Sequence, residues 1–99
     1  MEIILEGTGL TIKGNLLIHE LEPLVKSLRE LVDSNRNSIQ LDLSNVENID
    51  TTGIQLLASC RNSALVRGKT FNISAMSDSV EEALKIAGLH KIFENKEIA

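Results

Sequence analysis

Val46-Glu47-Asn48-Ile49-Asp50-Thr51-Thr52-Gly53-Ile54-Gln55-Leu56-Leu57 joins the clearest strand pattern of the chain to its clearest helix pattern. Two threonines stand there between a carboxylate and a glycine, where the helix is expected to begin. A helix start leaves backbone N–H groups unpaired and carries partial positive charge, so a side-chain oxygen or an added phosphate is favoured at that point. Taken by themselves, Asp50, Thr51 and Thr52 read as helix caps, each with a typical value of about 1 kcal/mol.

On the amino-terminal side of this stretch, Ile39, Leu41 and Leu43 alternate with Gln40 and Asp42, which predicts a strand from Ser38 to Ser44 with one buried face. Val46 and Ile49 are expected to tuck the following loop onto the core. On the other side the helix is expected to turn Ile54, Leu57, Ala58, Ala64 and Leu65 inward and to stop at Gly68. Thr70–Ser74, with Phe71 and Ile73 alternating, predicts the next strand. Ser79 and Glu82 have capping-box spacing for a last helix with Val80, Ala83, Leu84 and Ala87 inward. Gly88 closes that helix and Leu89 falls where an apolar cap contact is common. Ile92 and Phe93 add a short strand or pack down.

Further upstream, Glu2–Leu5 and Leu10–Lys13 flank Gly7-Thr8-Gly9 and predict a hairpin, with Gly14-Asn15 ending its second strand. From about Glu20 the period changes. Leu21, Leu24, Val25, Leu28, Leu31 and Val32 recur at three- and four-residue steps on one helix face, and Pro23 is tolerated only in the first turn. The order β, β, α, β, α, β, α predicts an α/β fold: a mixed, mostly parallel sheet with three or four helices packed against it, in one domain over residues 1–99.

Composition narrows the function. No apolar run approaches the 18 or so residues of a membrane-spanning helix, and the start lacks a basic flank and cleavage site, so a cytoplasmic protein with no membrane insertion is expected. A net charge of −4 and only two aromatic residues argue against direct nucleic-acid binding. Cys60 is the single cysteine and reads as a buried thiol. His19 and His90 sit in different segments, without the spacing of a catalytic set or of metal ligands. No enzyme, metal or cofactor is therefore expected.

With these elements in place, the chain resembles a STAS domain, the family of the bacterial anti-sigma factor antagonists. Four stretches carry the resemblance: Thr11-Ile12-Lys13-Gly14-Asn15-Leu16, Leu41-Asp42-Leu43-Ser44-Asn45-Val46, Ile49-Asp50-Thr51-Thr52-Gly53-Ile54 and Ala87-Gly88-Leu89-His90-Lys91-Ile92-Phe93. In that family the residue before the glycine of the D-[ST]-[ST]-G turn is phosphorylated by a cognate kinase. The resemblance therefore implies Thr52 as the phosphorylation site, with Thr51 the second choice, its hydroxyl projecting into water. It also implies a partner-binding face of Asp50, Thr51, Thr52, Gly53 and Gln55, with Leu17 and Ile18 beside it.

The implied partners are an anti-sigma factor or a histidine-kinase-like serine/threonine kinase, with a phosphatase that resets the switch. The alternative implied by the same family is a small STAS subunit of a larger assembly. It would dock on the ATPase of a phospholipid-transport ABC complex, or in a chemotaxis-type signalling assembly, through the same Thr51/Thr52 face without phosphorylation. The chain departs from the antagonist pattern at Leu17-Ile18-His19-Glu20, where antagonists often carry Asp-x-x-[ST].

Overall fold

The computed structural model describes residues 1–7 and 9–93. Strand β1 (Glu2–Glu6) pairs antiparallel with β2 (Gly9–Leu16), as the hairpin pattern predicts; Thr8 of the intended turn lies outside the described residues. Gly7 supplies the positive φ, +57°, at which a side chain would be strained. After a single 3-10 turn (Ile18–Glu20) come α1 (Glu22–Asp33), β3 (Ser38–Ile49), α2 (Thr51–Val66), β4 (Thr70–Met76) and α3 (Asp78–Ile86). The four strands lie in the order β1-β2-β3-β4, with β2, β3 and β4 parallel. The mixed sheet and its three α-helices agree with the expected fold class.

Opposed residues across parallel strands share a face, so Leu10↔Leu41, Ile39↔Phe71 and Leu41↔Ile73 build one continuous apolar surface. Ile12, Ile39, Leu41 and Leu43 on it are fully buried, each contributing roughly 1.5–3 kcal/mol by removal from water. The positions between them, Thr11, Gln40, Asp42 and Asn72, are exposed or half-buried. The least extent of the molecule, 20 Å, is that of two layers, one sheet and one helical layer at about 10 Å each. Leu24, Leu28, Leu31 and Val32 of α1 and Val80 and Leu84 of α3 complete the core, and Phe93 packs down onto Phe71 with ring centroids 6.4 Å apart.

Four local expectations are corrected. Both β2 and β3 run further than their alternating cores: pairing continues through Gly14↔Val46, Asn15↔Asn48 and Leu16↔Ile49. Gly14 does not end its strand. At φ +110° it sits beside a register shift between Gly14 and Asn15, so its freedom absorbs an irregularity instead of stopping the pairing. Val46 and Ile49 accordingly belong to β3 and not to a loop.

The inner stripe of α2 is Gly53, Leu57, Cys60 and Ala64, and Leu65 is 47% exposed. One residue past Ala64 is about 100° around a helix. Of the residues expected to face inward, Leu57 and Ala64 are buried and Ile54 packs half-buried against the core, whereas Leu65 is turned out to solvent. The cap of α3 is also Ser77, not Ser79: its Oγ accepts from the Val80 N–H at 3.3 Å, because β4 reaches Met76 and the helix starts earlier. The other end of α3 behaves as predicted, with Gly88 at φ +74° and the Leu89 N–H donating to the Leu84 carbonyl at 2.8 Å.

Candidate functional site at the start of α2

Parallel strands of an open sheet present their binding loops at their carboxyl ends, and Asp50 follows the last residue of β3 at that edge. Asp50 is in extended conformation and is the N-cap of α2. Its Oδ1 accepts the Gly53 N–H at 3.1 Å and the Thr52 hydroxyl at 2.5 Å. Its Oδ2 accepts the Ile18 N–H at 3.0 Å, and its own N–H donates to the Leu16 carbonyl at 3.2 Å. One carboxylate thus joins the start of α2 to the exit of β2.

These bonds favour the charged form. The Thr52 hydroxyl, with the Ile18 N–H second, holds the Asp50 carboxyl below its ordinary value of 3.8. Asp50 is accordingly an anion at neutral pH, placed where helix and loop supply donors.

Gly53 is required by space. A Cβ there would lie 2.6 Å from the Leu16 carbonyl oxygen and 2.9 Å from Ile49 Cγ1, closer than real side chains approach. The missing side chain lets the first turn of α2 rest on the end of β2.

The expected site residues come together around this turn. Thr51 and Gln55 are exposed, Thr52 and Asp50 are half-buried, and Gly53 is buried. The Thr52 oxygen is neither sealed in the core nor free: its proton is donated to Asp50. Leu17 is half-buried, while Ile18 is 59% exposed and is tied to Asp50 through its backbone.

Sequence reading did not find the amide pair at the same edge, where Asn48 Nδ2 donates to Asn15 Oδ1 at 3.1 Å. Only the parallel register Asn15↔Asn48 reveals it. Among the described residues no group of three or more His, Cys, Asp or Glu side chains is arranged to hold a metal ion.

Comparison with known proteins follows the same lines. A family model described as "Mlab, STAS domain" matches residues 4–94. The solved anti-sigma factor antagonist from Mycobacterium paratuberculosis superposes with a TM-score of 0.78 at 19% identity, covering 93% of this chain and 80% of that one. The anti-sigma factor antagonist SpoIIAA in its unphosphorylated form gives 0.77 at 12% identity, over 98% and 88%. The STAS domain of a SulP transporter from Vibrio cholerae gives 0.63 at 25% identity, over 85% and 65%.

Proposed function

The chain belongs to the STAS domain family, and on that premise we propose that it is a non-catalytic partner-binding module of the anti-sigma factor antagonist type, switched by phosphorylation of Thr52. The observation that supports this reading is the placement of the Thr52 hydroxyl, at the opening turn of α2 and against the Asp50 carboxylate. A cognate serine/threonine kinase would transfer the γ-phosphoryl group of ATP to Thr52 Oγ1, with loss of the hydroxyl proton and release of ADP. The product carries about −1.5 to −2 charges at a helix start, which tolerates them. Asp50 and an apolar partner surface at Ile18 do not tolerate them, so binding fails before folding does.

In this reading the unmodified face, Asp50, Thr51, Thr52, Gly53 and Gln55 with Leu17 and Ile18, binds an anti-sigma factor or the kinase itself, and a phosphatase restores it. No helix among the described residues is long and apolar enough to cross a membrane, and we place the module in the bacterial cytoplasm with its partners.

A second reading is consistent with the comparisons, because a STAS domain 25% identical to this chain is part of a SulP transporter and so serves within a larger transport protein. In it the chain is a fixed subunit that docks on an ATPase through Thr51 and Thr52, and phosphate plays no part.

Mass spectrometry of the protein from its own cells, combined with partner capture by Thr52 variants, separates the two. The switch predicts one phosphate on Thr52, and a Thr52→Glu protein that unfolds cooperatively but has lost its partner. Absence of phosphate in every growth condition, with assembly weakened by Thr52→Ala, selects the fixed subunit instead.

A further inference from the structure

The two threonines at the start of α2 differ in where their hydroxyls point. Thr52 Oγ1 donates to Asp50 Oδ1 at 2.5 Å, at the short end of the range of about 2.5–2.7 Å for a hydroxyl on a carboxylate. With that proton turned to Asp50, the lone pairs of Oγ1 point away from it. Thr51 stands about 100° around the helix from Thr52. It is exposed, and its hydroxyl makes no hydrogen bond among the described residues.

The acceptor of that proton is itself fixed. Oδ1 of Asp50 also takes the Gly53 N–H at 3.1 Å, and Oδ2 takes the Ile18 N–H at 3.0 Å. Gly53 in turn rests on the Leu16 carbonyl, so closely that a Cβ would lie 2.6 Å from its oxygen. The carboxylate therefore has little room to swing. A held anion at hydrogen-bond distance from a hydroxyl is the arrangement of a general base and its nucleophile.

On the reading that Thr52 is the phosphorylated residue, on which this inference rests, the geometry points to Asp50 as a catalytic residue carried by the substrate itself. It orients Thr52 Oγ1 and receives its proton, and it thereby selects Thr52 over Thr51 as the phosphoryl acceptor. In the transfer, Oγ1 forms a bond to the γ-phosphorus of ATP and the bond from that phosphorus to the bridging oxygen breaks. ADP leaves with that electron pair, and the hydroxyl proton passes to Asp50 Oδ1 and from there to water. The transition state of such transfers is loose, so positioning the nucleophile counts for more than strength as a base. Asp50, whose hydrogen bonds favour its charged form, meets that need. Once ionised again it faces the new phosphate as a like charge, which is the repulsion that ends partner binding.

The test is steady-state phosphorylation of the full chain by ATP and the kinase activity fractionated from its own cells, with the modified residue located by mass spectrometry. Asn caps helices as well as Asp does, so Asp50→Asn keeps the turn and removes the charge. It is expected to lower kcat at least tenfold while KM for the protein stays within about threefold. A second measurement needs no variant: by NMR, the Thr52 hydroxyl proton of the parent should exchange with water more slowly than that of Thr51. An unchanged kcat for a folded Asp50→Asn, a loss confined to KM, phosphate on Thr51 of the parent, or equal exchange of the two hydroxyl protons would each overturn the role of Asp50 and leave the switch standing. A parent that takes no phosphate on either threonine would overturn the switch and this inference with it.

Discussion

The Asp50 carboxylate accepts the backbone N–H of Ile18 at 3.0 Å across 32 residues of chain. The same side chain caps α2 through Gly53 and takes the Thr52 hydroxyl. The residue that starts the helix therefore also anchors the exposed apolar segment beside it. Thr52 and Ile18 therefore hydrogen-bond to the two oxygens of one carboxylate.

Replacing Asp50 by Ala removes the cap and the anchor together. The cap alone is worth about 1 kcal/mol, within a range of 0.5–2, and the backbone donor of Ile18 is exposed and can turn to water. A loss of about 1–2 kcal/mol is expected, read as a lower urea midpoint with unchanged slope. Amide exchange should quicken at Ile18 and Gly53 first, and uniform quickening across the chain would contradict a local role.

At Gly53 two effects oppose each other. Ala is the better helix former by about 1 kcal/mol, but its Cβ would meet the Leu16 carbonyl at 2.6 Å and Ile49 Cγ1 at 2.9 Å. The first of these is backbone and cannot swing aside, so overpacking of about 1–3 kcal/mol is expected to win. Gly53→Ala should melt at lower temperature than the parent. A higher melting point would mean that α2 can slide away from β2.

Acid should act through two carboxylates. Asp50 is held below 3.8 chiefly by the Thr52 hydroxyl, and Asp42 chiefly by the Ser44 hydroxyl, which donates to it at 2.6 Å. A folded value below the unfolded one adds stability that is fully present above the unfolded value of 3.8 and is lost as pH falls through the folded one. Urea midpoints are expected to fall as pH drops below that value. Asp50→Asn and Asp42→Asn should each flatten the fall, and identical pH curves for parent and variants would remove both groups from the account.

Cys60 faces the groove between α1 and α2 with Leu56, Val25 and Arg29. Burial pushes its thiol up to about 11, and the nearby Arg29 charge only partly offsets this. Since the thiolate is the reactive form, alkylation by iodoacetamide at neutral pH should be slow in the folded protein and fast in urea. Rapid labelling without denaturant would show that the groove opens.

Much of this was legible residue by residue. The three- and four-residue spacing of Leu21, Leu24, Leu28 and Leu31 marks α1, and the alternation of Ile39, Leu41 and Leu43 marks the middle of β3, because each pattern reflects the local geometry of its own element. On α2 the inward Leu57 and Ala64 were legible, but Gly53 was not, because hydrophobicity gives no weight to a glycine that packs directly on the end of β2. The extra length of β2 and β3 was invisible for another reason. Asn15 and Asn48 look like strand enders until each is seen opposite the other.

By itself the sequence determined the alternation of strands and helices, the antiparallel opening, the helix stops at Gly68 and Gly88, and the position of the Asp50-Thr51-Thr52-Gly53 turn. Those features follow from side-chain period and turn chemistry over a few residues. Only the tertiary structure decided that Asp50 reaches Ile18, that Thr52 donates its proton to Asp50, and that Gly53 meets Leu16. Each depends on strand register and helix placement, which are settled when residues distant in the chain pack together, and no local pattern encodes them.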